Sequence, residues 1–354
     1  MIRTVDALLD RTIVPGYTRL GYHLRKVSWT RDDPAPDALR GRTVLVTGAN
    51  SGIGKSIATR FAGLGARTVL AVRDAGRGER ARREIRDTAP GAQVELEICD
   101  IAEPGSIDAC ARALHARHEA LDVLVHNAGV LPGDRTENSA GHELTLATHV
   151  LGPLRLTDRL APLLAGSGDA RVIFVASGGM YTQPLPFRDP QYRHGAYRGA
   201  TAYARTKRMQ VAFGPLLDGR LADHGVSVHS MHPGWVATPG ITAALPRFSS
   251  ALRPAMRTAA EGADTAVWLA TTTPAPLSGH FWHDRRIRDE HYLRHTRYTE
   301  GHLLSLWEYC LDAAEVPLHP HCRPPAGRAG GTATDEFRSP TPSFTVSPRG
   351  SRRE

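Results

Sequence analysis

From residue 43 to residue 231, short β-rich apolar runs alternate with longer stretches whose apolar residues recur every three or four positions. The runs are Thr43–Thr47, Thr68–Val72, Val94–Cys99, Val123–His126, Val172–Ala176 and Val226–Met231, and Gly279–His283 would add an edge strand. Strands alternating with helical patterns predict βαβ units and a parallel sheet covered on both faces. The expected fold class is therefore α/β, one doubly wound parallel sheet with helices on both faces. The pattern divides the chain into a helical extension and linker over 1–40, a main domain over 41–316 and a tail over 317–354.

In the extension, Ile2, Val5, Leu8 and Leu9 stand at helical spacing, and Pro15 is expected to break the pattern. A helix docked on the protein's own surface is the first reading; a membrane-surface or partner-binding helix within residues 1–30 is the second. No uncharged apolar run approaches the roughly 18 residues that span a bilayer, and the N-terminus lacks a continuous secretory-type apolar stretch. The tail is rich in Pro, Gly, Ser, Thr and Arg and offers little to bury, so disorder is expected there.

Charge changes this picture little. The net charge is +8, but basic residues are spread along the chain, so no nucleic acid partner is expected. Cys99, Cys110, Cys310 and Cys322 show no metal spacing and no dense disulfide pattern, which fits a reducing, cytoplasmic setting. His291 and His295 lack the acidic residue between them that a zinc-protease motif needs, and no metal is expected.

Candidate chemistry begins where the first strand ends. Thr47 is followed by Gly48, Ala49, Asn50, Ser51, Gly52, Ile53 and Gly54, then by a helical pattern. Glycines at a strand-to-helix turn let the backbone approach a pyrophosphate, and the helix N-terminus favours its charge. After the second strand comes Arg73, whose guanidinium suits a 2′-phosphate; this favours NADP(H) over NAD(H). Asp74, next in line, is the counter-argument. Asp100 and Ile101 would hold the adenine, although Asp100 also reads as a helix cap. Further on, Tyr203 and Lys207 lie one helical turn apart, in a chain whose other lysines are Lys26 and Lys55. A phenol with a pKa near 10 is a poor base at neutral pH without such a cation.

Taken in order, TGANSGIG (47–54), Asp100, NAG (127–129), Ser177, YARTK (203–207) and PGWVAT (233–238) resemble the short-chain dehydrogenase/reductase family. The texture of ASGGM, SMHPGWVATPG and GADTAVWLA is similar to its retinol-dehydrogenase-like branch. The resemblance implies a Rossmann-type enzyme moving a hydride between nicotinamide and a carbonyl or alcohol carbon of a lipophilic substrate. It implies that Tyr203 is the acid/base, that Lys207 lowers its pKa and holds the nicotinamide ribose, and that Ser177 binds the reacting oxygen. Asn127, Ala128 and Gly129 would line the cofactor cleft, and Pro233, Gly234, Val236 and Thr238 would cradle the nicotinamide end. A homo-oligomer is a further implication.

Two departures bear on activity. Where the family has an asparagine that helps hold a relay water, this chain has His149. It would be a substitute water-holder, a group that makes activity pH-sensitive near neutrality, or a buried, hydrogen-bonded histidine in a relay that no longer works. The second departure is a long insert, YTQPLPFRDPQYRHGAYRG, which would shape the substrate pocket or cover the sheet end. Ile241, Leu245, Phe248, Leu252 and Met256 would belong to a lid over the substrate, or to ordinary core packing. The rival to an enzyme is a cofactor-binding regulator or scaffold with weakened chemistry; a third reading is a docking adaptor.

Overall fold

The computed structural model describes residue 6 and residues 13–29, 34–238 and 252–318. The expected lid residues Ile241, Leu245 and Phe248, most of the expected tail and the apolar positions Ile2, Val5, Leu8 and Leu9 lie outside the described residues.

In chain order the strands are β1 (Thr43–Thr47), β2 (Arg67–Val72), β3 (Val94–Ile98), β4 (Val123–His126), β5 (Ala170–Val175), β6 (Val226–Met231), β7 (His280–His283) and β8 (Arg286–Ile287). They form one sheet in the order β3-β2-β1-β4-β5-β6-β7-β8. Every pairing is parallel except β7 with β8. Helices α1 (Ile13–Tyr17) and α2 (Arg19–Lys26) precede the sheet. Between and after the strands run α3 (Gly52–Gly63), α4 (Ala75–Thr88), α5 (Pro104–Arg117), α6 (Gly152–Ser167), α7 (Gly199–Ala212), α8 (Gly214–Leu221), α9 (Ala259–Thr271) and α10 (Glu300–Ala313).

Successive strand residues feed opposite layers, as the pleat requires. Val44, Val46, Leu70, Ile173 and Val175 pack with Ile57, Phe61, Ile85 and Val267 on one face. Leu45, Val69, Leu124, Val172 and Phe174 pack with Leu114, Leu160, Met209 and Trp307 on the other. Strand order reverses direction of growth between β1 and β4, which opens a crevice at the carboxyl ends of the strands.

The expected strands are all present, and the largest boundary difference has a clear cause. β5 begins at Ala170, not Val172, so Arg171 sits in a buried strand. Its guanidinium is satisfied by the carbonyls of Leu269 and Thr272 at 2.8 and 3.0 Å. An apolar pattern cannot announce such an arginine.

The extension is partly docked on the protein's own surface. Pro15 lies within α1 and does not end it; its missing N–H costs nothing in a first turn, and the chain extends at Thr18 instead. Tyr17, Tyr22 and Arg25 are buried, whereas Leu20, Leu24 and Val27 are exposed. Arg25 pairs with Asp6 and with Asp284, each at 2.7 Å. Arg257 also grips Asp284, at 2.6 and 2.8 Å, and donates to the carbonyls of Gly16, Thr18 and Pro233. No helix among the described residues is long and apolar enough to cross a membrane.

Candidate active site

The glycine turn between β1 and α3 is built for close backbone approach. Gly48 has φ +66°, and a Cβ there would lie 2.9 Å from Ala128 Cα. A Cβ on Gly54 would fall 2.3 Å from Asn127 Nδ2, so both positions exclude side chains. Asn127 fastens the turn to β4: its Nδ2 donates to Thr47 O at 3.0 Å, and Thr47 Oγ1 accepts the backbone N–H groups of Asn127 and Ala128. A Cβ on Gly52, whose φ is +55°, would lie 3.3 Å from the Thr238 methyl. Asn50, Ile53 and Gly52 are half-buried and Ser51 is exposed at the start of α3. The arrangement leaves a backbone cradle at a helix N-terminus, which fits a dinucleotide pyrophosphate.

At the end of β2, Arg73 is exposed, and its guanidinium makes no ion pair or hydrogen bond with other described residues. Asp74 is engaged: its carboxylate caps α4 by accepting the Arg77 N–H at 2.7 Å, a contact that holds it below the usual carboxylate range. Asp100 spends Oδ1 on the Ala102 N–H at 3.0 Å, a local turn and not the cap of α5, which is Glu103. Ile101 is buried in the core, so its side chain belongs to the packing of α6 and α5.

On the other side of the crevice, Ser177 lies two residues past β5 and caps a 3-10 turn over Gly178–Thr182. Its hydroxyl accepts the Gly179 N–H at 3.2 Å and lies near enough to the Tyr203 phenol on α7 to favour the phenolate. Tyr203 is half-buried by surface, yet enclosed deeply enough at its hydroxyl that burial pushes the phenol up, against the lowering by Ser177. The expected lowering by Lys207 does not set this balance. Lys207 Nζ lies 5.6 Å from the Tyr203 ring centroid, and burial pulls its own pKa down to about 7. Two of its three N–H bonds are committed, to Val175 O at 2.8 Å and to Gln210 Oε1 at 3.0 Å.

His149 lies in a widened, π-helical turn over Ala147–Leu151 and is fully buried. Its Nε2 accepts the Val130 N–H at 3.0 Å, which makes Nδ1 the protonated nitrogen, donating to Thr206 Oγ1 at 2.8 Å. Thr206 in turn donates its hydroxyl hydrogen bond to the Ala202 or Tyr203 carbonyl. Burial first, and the Lys207 charge second, hold the imidazole well below its ordinary pKa. The reading of His149 as a group titrating near neutrality is thereby corrected: the ring is neutral, and both nitrogens are spent. Gly129 permits its approach, since a Cβ there would come within 3.1 Å of Nε2.

Past β6, Pro233 and Val236 are buried and Thr238 is half-buried. Gly234 has φ +79°, and a Cβ there would strike Arg257 Nε at 2.5 Å. This loop is held by residues far away in sequence: Trp235 N–H donates to Tyr17 O at 2.8 Å, and Arg257 N–H to Trp235 O at 2.7 Å. The insert is fastened ahead of the π-turn, with Tyr197 donating to buried Glu143 at 2.8 Å and Gln191 accepting the Glu143 N–H at 2.8 Å. Gln210 was not among the expected site residues, although its place three after Lys207 puts it on the same helical face.

Residues 42–246 match the short chain dehydrogenase family model. The chain belongs to the short-chain dehydrogenase/reductase family. It is 38% identical over 279 residues to dehydrogenase/reductase SDR family member 12 of Bos taurus, covering 78% of this chain and 86% of that one. It is 36% identical over 254 residues to retinol dehydrogenase 12 of Homo sapiens, covering 70% and 78%. A solved structure from Beutenbergia cavernae, named for NAD(P)-dependent gluconate 5-dehydrogenase and holding NADP, superposes with a TM-score of 0.57 at 26% identity over 70% of this chain and 96% of its own. This short-chain dehydrogenase/reductase is thus an oxidoreductase acting between an alcohol and a carbonyl with a nicotinamide cofactor.

Proposed function

We propose that the protein is an NADP(H)-dependent oxidoreductase for a lipophilic alcohol or carbonyl compound, with Ser177, Tyr203 and Lys207 as its catalytic residues. The observation that carries this reading is the convergence of the Ser177 hydroxyl on the Tyr203 phenol, with the Lys207 ammonium fixed one helical turn away. When bound, the nicotinamide supplies or accepts the hydride. In the reducing direction Ser177 orients the carbonyl oxygen, and Tyr203 gives it a proton as the carbon takes the hydride. Lys207 favours the resulting phenolate by charge and holds the ribose. His149 serves as a support for the Gly129–Val130 backbone and takes no part in the proton transfer.

NADP(H) is supported by the division of labour after β2. The Asp74 carboxylate is occupied as a helix cap, while the Arg73 guanidinium is left for a 2′-phosphate. Gly48, Asn50, Ser51, Gly52, Ile53 and Gly54 would hold the pyrophosphate, with Asp100, Ile101 and residues 127–129 along the adenosine side and 233–238 at the nicotinamide. A lipophilic substrate is supported by the retinol dehydrogenase among the relatives and by Trp235 and Tyr292, half-buried against the Tyr17–Met180–Phe281 cluster. Exposed Leu20 and Leu24 beside Lys26 give the extension an outward face suited to peripheral membrane contact, which liposome co-sedimentation with and without residues 1–30 would test.

The deciding assay is a panel of long-chain and aromatic aldehydes, ketones and alcohols with NADPH, NADP+, NADH and NAD+. Turnover should vanish in Tyr203→Phe while cofactor binding persists. Tight NADPH binding without turnover on any substrate would favour the regulator instead.

A further inference from the structure

Behind the Tyr203–Lys207 pair, the fold places a second amide that nothing in the proposed chemistry uses. Gln210 is buried, 3% exposed, and both ends of its carboxamide are engaged. Oε1 accepts from Lys207 Nζ at 3.0 Å, and Nε2 donates to the His149 carbonyl at 2.7 Å. The carboxamide thus spans from the α7 ammonium to the backbone of the π-helical turn. These two contacts also fix which end of the amide is oxygen, because an ammonium cannot accept and a carbonyl cannot donate.

We propose that Gln210 is a positioning residue for Lys207: its amide ties the ammonium to the His149 carbonyl and holds it, as a fixed dipole, where it serves Tyr203. The inference rests on the assignment of Lys207 to the site proposed above. With Val175 O and Gln210 Oε1 taking two N–H bonds, the third is the one left for the crevice. A flexible four-carbon stem would otherwise allow the point charge several positions. The oxygen end of a carboxamide favours the charged amine, so the contact opposes the loss of charge that burial imposes.

The groups around Lys207 make this anchor necessary. Tyr203 shares its helix, and His126 and His149 face it from β4 and the π-turn. Burial keeps both histidines neutral, with His126 down at about 3. Neither imidazole supplies a compensating negative charge. The side-chain amide neither gains nor loses a proton in the working range, so any pH dependence of the bridge comes from Lys207 itself. The bridge carries position and polarity, not protons.

The test reads Lys207 itself as well as turnover. Protein labelled with 13C-lysine gives three lysine signals, from Lys26, Lys55 and Lys207, and the 13Cε shift of Lys207 is followed against pH in the full-length wild type, Gln210→Met and Gln210→Glu. The Met side chain keeps the bulk and removes the acceptor, so the Lys207 midpoint falls by about one unit or more. The Glu side chain places a carboxylate at the same distance, so the midpoint rises by about as much. The pH limb of kcat/KM moves with the midpoint in each variant, and Lys26 and Lys55 stay where they are. A folded Gln210→Met with an unmoved Lys207 midpoint overturns the proposal, as does an unmoved midpoint in Gln210→Glu. Should the Met variant fail to fold, Gln210→Asn replaces it: one methylene shorter, it cannot span both partners, and the same fall or absence of a fall decides. If the wild type turned over no alcohol or carbonyl, the catalytic reading would fail while the Lys207 titration still decided what Gln210 does.

Discussion

Trp235 donates its backbone N–H to the carbonyl of Tyr17 at 2.8 Å, joining the N-terminal extension to the loop expected to cradle the nicotinamide. The Tyr17 ring seals the same corner, since a Cβ on Gly178, beside Ser177, would meet it at 2.6 Å. The extension is therefore a wall of the crevice as well as an appendage.

Its attachment depends on buried charge. Asp284 holds both Arg25 and Arg257, and removing one side of a buried pair strands the other. Asp284→Ala should lower unfolding stability by about 3–5 kcal/mol in urea titration. A midpoint equal to that of the wild type would mean that the cluster is not a fastening.

The same cluster sets an acid limit. Burial alone would raise the Asp6 carboxyl, but its contacts with Arg288 and Arg25 bring it from 3.8 down to about 2. A carboxylate lowered in the folded protein contributes stability above its unfolded pKa and loses it as pH falls through the folded value. Proteolytic release of the extension should therefore set in between about pH 4 and pH 2. In Asp6→Asn the release should no longer follow pH over that window, and an identical pH dependence in the variant would count against it.

Lys207 gives a stability signature in a higher pH window. Its pKa of about 7 lies below the ordinary value of 10.5, so the unfolded chain binds the proton more tightly. Stability should rise with pH between those values, and the penalty for the buried charge is full below pH 7. Compared with Lys207→Met, the cofactor-free wild type should gain stability steadily from pH 7 to pH 10 in thermal melts. Parallel curves for the two proteins would sink the assignment of a neutral-leaning lysine.

His149 should be silent in that range. The pH–rate profile of His149→Asn should keep the wild-type limbs between pH 6 and 8, because the imidazole is neutral throughout. His149→Ala should lose about 1–3 kcal/mol of stability by stranding the Val130 N–H and removing the donor to Thr206 Oγ1. A limb that vanishes in His149→Asn would restore the titrating histidine.

Cofactor choice rests on Arg73. Arg73→Asp should cut the ratio of NADP+ to NAD+ efficiency by at least about tenfold, the worth of one charged contact. Asp74→Asn, which retains a capping side chain, should leave the ratio near the wild-type value. An unchanged ratio in Arg73→Asp would remove the case for a 2′-phosphate clamp.

The sheet, the glycine turn and the family are legible in the residues alone. Strand and helix periods are local properties, and TGANSGIG, NAG and YARTK stand in stretches short enough to be read without folding the chain. The sequence also put Tyr203 and Lys207 on one face of a helix, because a turn of α-helix fixes that geometry. What only the tertiary structure decided is where each polar group finds its partner. Burial and the Val130 N–H made His149 neutral; the cap on α4 occupied Asp74; Leu269 and Thr272 allowed Arg171 into a buried strand. Tyr17 and Trp235 are brought together only by the finished fold. Desolvation and hydrogen bonding depend on neighbours distant in sequence, so the charge state of a buried group, unlike the period of a strand, is not written where the residue stands.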